Sequence, residues 1–384
     1  MRFLKRSEML NVLYISHEGD TVLGSSRSLL NMINSLRGKV NAFVIVPTKS
    51  EAYNYFKANN INVYAIAFPL DITDKHGLKR CISIIPRLFR DVVLYNKAIK
   101  QISNIVDKNS IDVLHSNSST VDIGFYVAKK MNKPHIWHLR EFQDLDFHFR
   151  PVYGWHQLLK IIKKSSATIC ITKAIQKHFG LEKYKNSYQI FNAVRSQKDV
   201  CFITDKDKYF LVCGNLSKAK GCEIAIKAFA IFNSKHFGYR LKFVGDITSA
   251  YKEELIQLAK SLNIDKSIDF EGYQNETKRY YCKASAFLMC SPNEAMGRVT
   301  VEAMFYGCPV IGYNGGGTKE IINNGTDGFL FSSQEECSAL MEKVITDTNI
   351  NQMILNAQQK AINLFSEENY GKKIYSIYQK VLHR

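Results

Sequence analysis

The sequence predicts an α/β protein with two doubly wound domains, each built on a parallel sheet. Short β-branched apolar runs alternate with amphipathic segments along the 384 residues, a pattern typical of βαβ units. A polar stretch, RSQKDVCFITDKDK (195–208), interrupts the alternation before it begins again. A chain of this length also favours two cores over one. We therefore predict a first domain over 1–200, a second over 201–366, and a helix over 367–384 that crosses back to the first.

The first half contains six runs with the composition of buried strands. These are LNVLYIS (10–16), NAFVIVP (41–47), INVYAIAF (61–68), IDVLHSN (111–117), PHIWHL (134–139) and ATICIT (167–172). Segments between them, such as 26–36 and 90–106, have the apolar period of helices.

The second half repeats this organisation. Its predicted strands are KYFLVCGN (208–215), RLKFVGD (240–246), SIDFEG (267–272), SAFLMCS (285–291) and CPVIGY (308–313). The tail EENYGKKIYSIYQKVL (367–382) has helical spacing and no strand after it. Open parallel sheets bind ligands at the carboxyl ends of their strands, so we expect the site in a cleft between the two halves.

The chain is strongly basic, with 52 Lys+Arg against 35 Asp+Glu and a formal charge of +17. A phosphorylated substrate, an anionic membrane surface or nucleic acid are the partners that such a charge suits. No zinc-finger, RNA-binding or basic-zipper pattern is present, so we predict no nucleic-acid partner. Two basic runs, 75–90 and 156–167, interleave Lys/Arg with Ile, Leu and Phe. Each fits an interfacial helix on a membrane, and each fits a solvated helix face equally well.

The nine cysteines are scattered and form no C-x-x-C pair. This usage indicates reduced thiols in a cytoplasmic protein and argues against a disulfide framework or a zinc site. No apolar run reaches the length of a membrane span. The acidic triplets DLD (144–146) and DKD (205–207) are interpreted as solvated loop acids, so no metal site is predicted.

The stretch SPNEAMGRVTVEAMFYG (291–307) carries the most chemical information. A buried strand precedes it, Pro292 begins a turn, and a helix follows that ends at Gly307. Gly297 is then at or just before the helix N-terminus. Backbone amides near Arg298 and Val299 would there form a cradle for phosphate.

Two acidic side chains flank this cradle. Glu294 lies on the incoming loop, and Glu302 lies about one turn into the helix. Neither suits phosphate, but an ionised carboxylate accepts two hydrogen bonds and therefore suits the diol of a sugar or ribose. The pattern predicts a ligand with a diphosphate flanked by two polyols. The alternative is that Glu294 is a helix-capping acid and Glu302 an exposed helix residue.

These residues carry a family resemblance. E-A-M-G-R-V-T-V-E-A-M, followed by G-C-P-V-I-G and G-G-G-T-K-E, resembles the E-x(7)-E signature of retaining GT-B glycosyltransferases of the family 4 (group 1) type. LVCGNLSKAKGCEIAIKAF (211–229) resembles the first strand and helix of the family's donor domain. HEGDTVLGSSRSLLNMI and PHIWHLREF resemble its first loop and its histidine loop, and the similarity is stronger over 208–330 than over 1–200. The resemblance implies a GT-B fold, with two Rossmann-like domains facing a central cleft, acceptor bound by the first and donor by the second.

The resemblance also implies roles for particular residues. Glu294 would lie near the donor sugar and His138 near the reacting carbon, as the catalytic pair. Donor binding would fall to Lys220, Glu302, Gly297, Arg298, Val299, Asn215 and Gly24. Asn215 stands where the family often places an arginine, and either Lys218 or Arg298 could supply the missing cation.

Several of these residues also have an alternative interpretation as structural or surface residues. Lys220 could be a surface lysine in a turn, and His138 could be a core histidine. Arg140 and Glu141 could form an ion pair or contact an acceptor. The glycines at 315–317 are interpreted as a tight strand-to-helix turn, with ligand proximity as a secondary role.

The implied function is retaining transfer of a sugar from a nucleotide-diphosphate sugar to a glycan or lipid-linked acceptor. Surface polysaccharide biosynthesis, such as that of capsule or lipopolysaccharide, is the expected context, with the protein cytoplasmic or peripheral on the inner face of the membrane. Neither cofactor nor metal is expected. Two alternatives are a non-catalytic carbohydrate- or nucleotide-binding protein on the same fold, and an enzyme similar to a nucleotide-sugar epimerase.

Overall fold

The computed structural model describes residues 9–22, 24–74, 77–294 and 296–383, with the backbone alone at 77–89, 146 and 147. The chain divides into two compact units. The first comprises Met1–Ala193 together with Tyr370–Arg384, and the second comprises Val194–Asn369. Each unit has its own parallel sheet with helices between the strands, which confirms the predicted α/β class.

The strands are numbered along the chain. They are β1 (Leu10–Ile15), β2 (Val40–Val46), β3 (Asn62–Ala65), β4 (Val113–Ser116), β5 (His135–Leu139), β6 (Ala167–Cys170), β7 (Ser187–Gln189), β8 (Tyr209–Cys213), β9 (Arg240–Val244), β10 (Ile268–Gly272), β11 (Ala286–Met289), β12 (Val310–Tyr313) and β13 (Phe329–Phe331).

The helices are numbered in the same way. They are α1 (Gly24–Ser35), α2 (Glu51–Ala58), α3 (Gly77–Lys108), α4 (Ile123–Lys130), α5 (Asp144–Phe147), α6 (Trp155–Lys163), α7 (Lys173–His178), α8 (Cys222–Asn233), α9 (Ser249–Ser261), α10 (Lys278–Lys283), α11 (Arg298–Phe305), α12 (Thr318–Ile321), α13 (Gln334–Thr346), α14 (Ile350–Phe365) and α15 (Glu367–Leu382). Short 3-10 turns occur at Gln197–Asp199, Lys218–Lys220 and Asp265–Ser267.

Both sheets have the strand order of a doubly wound fold. In the described chain the first sheet runs β3-β2-β1-β4-β5-β6-β7 and the second runs β10-β9-β8-β11-β12-β13, with all pairs parallel. Each order reverses beside its first strand, at β1/β4 and at β8/β11, where this fold places its ligand crevice. The central strands are covered on both faces, so their sequences are continuous apolar runs without alternation.

Two three-residue strands were not predicted. β7 and β13 each lie at an edge of their sheet, where one neighbouring strand is enough to hold them. The other eleven strands of the described chain all coincide with predicted apolar runs, within a few residues at their ends.

The C-terminal helix α15 belongs to the core of the first unit. Its apolar side, which includes Tyr370, Ile374 and Tyr378, packs in one cluster with Val12 and Tyr14 of β1. Gly371 of α15 permits a close approach to the end of α1, because a Cβ there would meet the backbone carbonyl oxygen of Ser35 at 2.2 Å.

Candidate functional site

The loop between β11 and α11 places Glu294 at the start of a helix. Gly297 precedes α11 with φ +80°, a left-handed conformation that favours glycine. The amide of Thr300 donates to the Gly297 carbonyl at 3.0 Å and closes the first turn. A Cβ on Gly297 would meet Cγ of Glu294 at 3.3 Å. Glu294 therefore lies against the N-terminus of α11, where the helix dipole presents partial positive charge.

Lys220 comes to the same point from the turn after β8. The next residue, Gly221, has φ +68°, and a Cβ there would meet the Cys290 carbonyl oxygen at 2.2 Å. Only glycine therefore allows this turn to pack on the end of β11. The result is an ion pair in which Lys220 Nζ lies 2.5 Å from Glu294 Oε2. The ammonium, the carboxylate and the helix N-terminus are thus adjacent.

Three consecutive glycines fix the backbone on the other side of Glu294. The Gly317 amide donates to the Glu294 carbonyl at 2.6 Å. A Cβ on Gly316 would meet the same carbonyl oxygen at 2.5 Å, and one on Gly315 would meet the Pro292 carbonyl oxygen at 2.5 Å. This segment is a tight turn between β12 and α12, and it also positions the Glu294 loop.

Glu302 lies one turn further along α11 and has a partner that the sequence did not indicate. Its Oε1 accepts from Arg195 Nη2 at 3.2 Å, and the Arg195 guanidinium lies over the Tyr306 ring, 5.6 Å from its centre. Burial alone would lower the pKa of Arg195, but Glu302 and the neighbouring acids raise it. Arg195 belongs to the polar stretch interpreted only as a linker.

The remaining residues that were predicted to bind the donor are less closely grouped. Arg298 and Val299 are the first two residues of α11 and are half-buried, whereas Asn215, after β8, is exposed. Lys218 is directed toward α9, where its Nζ lies 2.7 Å from Glu254 Oε2. Two residues apart in one turn, Lys218 and Lys220 thus have different acidic partners.

His138 is the last but one residue of β5 in the first unit and is fully buried. Its Nδ1 lies 3.2 Å from Nε2 of His115, whose Nδ1 lies 2.8 Å from the Tyr378 hydroxyl of α15. Nε2 of His138 is buried and has no hydrogen-bond partner among the described residues. Burial, together with the nearby Arg140, lowers the pKa of His138 well below its ordinary value. The imidazole is therefore neutral, with one nitrogen left for a ligand.

Arg140 and Glu141 bond to separate partners. Arg140 Nε donates to Asn117 Oδ1 at 2.8 Å, while Glu141 Oε1 accepts from the Ser119 amide at 2.7 Å. Both side chains are buried and brace the carboxyl end of the first sheet.

Gly24 begins α1 but has no steric need to be glycine, because nothing lies within 4 Å of an added Cβ. The carboxylate of Glu18 caps this helix by accepting from Ser25 Oγ at 2.5 Å and from the Ser26 amide at 3.1 Å. The structure places Gly24 in the first unit and Glu294 in the second.

Each acidic triplet contacts a side chain of a basic residue type. Asp144 lies 3.0 Å from His178 Nε2, and Lys283 contacts both Asp205 and Asp207, at 3.2 and 4.0 Å. The side chain of Asp146 lies outside the described residues. Within the described ranges, no group of three or more His, Cys, Asp or Glu residues is arranged to hold a metal ion.

The two basic runs differ in what the structure describes. In α6 the apolar Leu158, Ile161 and Ile162 are buried, whereas Lys160 and Lys163 are exposed. This helix therefore offers its charges to solvent and its apolar side to its own unit. The run at 75–90 has almost all its side chains outside the described residues. No helix in the described part of the chain is both long and apolar enough to cross a membrane.

Comparison with known proteins identifies the second unit. Residues 194–361 match the family model described as Glycosyl transferases group 1. The second unit is therefore similar to group 1 glycosyltransferases over most of its length. The match takes in Arg195, Lys220, Glu294, Gly297 and Glu302, and it confirms the resemblance inferred from the sequence.

Individual relatives agree with this assignment. An uncharacterized glycosyltransferase of Haemophilus influenzae is 28% identical over 179 residues, which is 46% of this chain and 49% of that protein. The alpha-monoglucosyldiacylglycerol synthase of Streptococcus pneumoniae is 27% identical over 179 residues, covering 46% of this chain and 40% of that protein. The chain thus matches about half or less of the length of these two relatives.

Solved structures extend the comparison to the whole fold. Anabaena HepE in complex with UDP aligns with a TM-score of 0.78 at 19% identity, covering 97% of this chain and 100% of that one. The same protein in complex with UDP-glucose aligns with a TM-score of 0.73 at 18% identity and the same coverage. The described chain therefore has the GT-B fold, with two α/β units that are each built on a parallel sheet.

Proposed function

We propose that the protein is a retaining glycosyltransferase that moves a sugar from a nucleotide-diphosphate sugar to a glycan or lipid-linked acceptor. One observation carries the proposal. Lys220 Nζ and the N-terminus of α11 meet at Glu294, so a fixed cation and a helix dipole converge where a diphosphate would lie. We propose that Glu302, one turn further along, binds the ribose of the same ligand.

The chemistry follows from the charge that develops during transfer. The bond between the anomeric carbon and the diphosphate breaks as an oxocarbenium-like centre forms, and negative charge accumulates on the leaving group. Lys220 and the α11 amides are preorganised to stabilise that charge. With a fixed cation already present, we propose that no divalent metal is required.

Retention would follow from attack on the face that the leaving group vacates. The acceptor hydroxyl would bond to the anomeric carbon on the side of the departing diphosphate, and its proton would pass to a phosphate oxygen. Glu294 would then position the sugar hydroxyls, and the neutral His138 would contact the sugar near the reacting carbon.

The acceptor and the cellular context are further parts of the proposal. The name of the Streptococcus pneumoniae relative states a glucosyldiacylglycerol product, which supports a lipid-linked acceptor here.

Exposed lysines on α6 would attract an anionic membrane surface. The eight cysteines whose state the structure describes are all free, which supports the cytoplasm. We propose a role in bacterial surface-polysaccharide assembly, with the protein on the inner face of the membrane.

The first test is a thermal-shift panel of UDP, GDP and ADP with their common sugar conjugates. UDP and UDP-glucose lead the panel because HepE was solved with both. A ligand at a hundredfold excess over its dissociation constant stabilises the fold by about 2.7 kcal/mol. We expect one nucleotide diphosphate to raise the Tm of the wild type and to lose most of that shift in Glu302→Ala. No shift with any nucleotide would contradict the proposal and favour a binding protein of another kind.

Two follow-up measurements address the finer points. With the donor known, NMR of the first product gives the anomeric configuration, and an inverted linkage would exclude retention. Transfer measured with and without EDTA tests the metal. Full activity in EDTA is expected, and a loss restored by Mg²⁺ or Mn²⁺ would contradict metal independence.

A further inference from the structure

Arg195 stands where the chain enters the second unit and where it leaves again. The first unit ends at Ala193, and its chain resumes at Tyr370. Arg195 forms a parallel bridge with Ser366, and its carbonyl accepts from the Glu367 amide at 3.0 Å. The two crossing segments are thus tied together, and the backbone of Arg195 is fixed by pairing that is independent of its side chain.

The side chain is fixed as well. Nη2 lies 3.2 Å from Glu302 Oε1, and the guanidinium lies over the Tyr306 ring at 5.6 Å. Glu302 and Tyr306 are four residues apart and hence neighbours on the helix surface. The planar guanidinium of Arg195 therefore contacts both of these side chains. Its side chain remains 36% exposed, whereas that of Glu302 is only 15% exposed.

We propose that Arg195 is a positioning residue that orients the carboxylate of Glu302 for the ribose of the donor. Arg195 occupies Oε1, and no hydrogen bond to Oε2 is present among the described residues. A carboxylate held through one oxygen keeps its plane fixed and presents the other oxygen as an acceptor. The proposal rests on the proposed function, because it assigns Oε2 to a ribose hydroxyl.

The test compares nucleotides that differ only at the ribose. Binding of UDP, 2′-deoxy-UDP and 3′-deoxy-UDP is measured by calorimetry on wild type and Arg195→Met, with the guanosine or adenosine set if the panel selects that base. Hydrogen bonds to charged groups are worth enough for the wild type to prefer UDP over one deoxy form by about 10-fold or more. In Arg195→Met we expect the ratio of the affinity for UDP to the affinity for that deoxy form to fall severalfold. The affinity for the deoxy form itself should be almost unchanged. Arg195→Lys keeps a charge but not the planar fork, and should restore the ratio only in part.

Lys278→Met is the matched control. Lys278 Nζ also lies over the Tyr306 ring at 5.6 Å, so this variant removes a cation from the same ring without touching Glu302. We expect its ratio to equal that of the wild type. Circular dichroism melts of both variants check that the fold is intact.

Three outcomes would overturn the inference. An unchanged ratio in Arg195→Met would make Arg195 merely structural. Equal losses for UDP and its deoxy forms would mean that Arg195 acts on the phosphates. A wild type that binds UDP without distinguishing the deoxy forms would remove the ribose role of Glu302. A wild type that binds no nucleotide is a different failure, since it contradicts the proposed function itself.

Discussion

In the second unit, Lys220 and Glu294 are charged, partly exposed and paired with each other, whereas His138 in the first unit is buried, neutral and held by hydrogen bonds. Lys220 is 37% exposed and pairs with Glu294. His138 is fully buried between His115 and Arg140. Ion pairs near the surface are weak, so an incoming charged ligand can exchange with them. A buried network is costly to leave unsatisfied, so it supplies a fixed geometry instead.

The largest expected effect concerns how the stability contributed by the buried histidines of the first unit depends on pH. Burial lowers the pKa of His115, His135 and His138, to about 3 for His135. Below about pH 6.5 the unfolded chain binds protons that these three imidazoles do not bind in the folded chain, so their contribution to stability is lost as the pH falls. Asp122 of the same unit acts in the opposite direction, because burial raises the pKa of its carboxyl to about 8 and the folded chain therefore takes up this proton first. Each imidazole that stays neutral contributes about 1.4 kcal/mol of loss at pH 5.5, so the three together give about 4 kcal/mol.

Tryptophan fluorescence can assign this loss to the first unit. The two tryptophans of the chain, Trp137 and Trp155, both belong to that unit. We expect the urea midpoint followed by their emission to change less favourably between pH 7.5 and 5.5 in the wild type than in His135→Gln, because only the wild type loses the contribution of the neutral His135. The same change of midpoint with pH in His135→Gln and in the wild type would mean that His135 is not neutral in the folded state.

The next largest effect is expected at Lys220. Lys220→Met removes the cation proposed to stabilise the leaving diphosphate. Loss of one preorganised donor to a developing charge lowers kcat by about 10²–10³-fold, and we expect a loss of that order in the transfer rate. Steady-state kinetics with the identified donor measure it.

Lys218→Met is the matched control, because Lys218 lies in the same turn but pairs with Glu254. Its transfer rate should remain close to that of the wild type. If both variants lost the same activity, the distinction drawn between the two lysines would fail. A larger loss in Lys218→Met would instead show that this lysine replaces the cation missing at Asn215.

The sequence was sufficient for the fold where strands are long and buried. In β1, for example, Val12 to Ile15 (VLYI) are four consecutive buried residues, because helices cover both faces of the sheet. β7 (SYQ) and β13 (FLF) escaped prediction because three residues are too few to show a period or a run. An edge position in the sheet, which the sequence does not state, is what makes them strands.

The site was predictable only in its residue types. Glu294, Gly297 and Lys220 were predicted to share a ligand, but their adjacency depends on the left-handed glycines 221 and 297. Arg195 could not be found, since its contact with Glu302 spans 107 residues and its polar surroundings are typical of a linker. The C-terminal helix was predicted to cross back to the first domain, but the sequence did not indicate that its Tyr378 contacts His115, which is 263 residues away.

The smallest expected effect tests whether the charge pairs of the second unit are truly exchangeable. Glu294→Gln leaves Lys220 without its internal anion, so the ammonium is available to a diphosphate from the outset. Pairs of this exposure are worth about 0.2–1 kcal/mol, and the dissociation constant for UDP should therefore fall by up to about fivefold. Glu254→Gln, which frees Lys218 instead, should leave UDP affinity unchanged.

The same variant should respond differently to the intact donor. UDP-glucose gains from the freed Lys220 but loses the carboxylate proposed to accept from its sugar hydroxyls. We therefore expect its affinity to improve less than that of UDP, and the transfer rate to fall. Weaker UDP binding in Glu294→Gln would contradict exchange, because it would mean that Glu294 supports the diphosphate site and does not compete for it. The Lys220–Glu294 pair would then be a fixed part of the binding site, as the hydrogen-bond network around His138 is. The two regions would differ only in how deeply their side chains are buried.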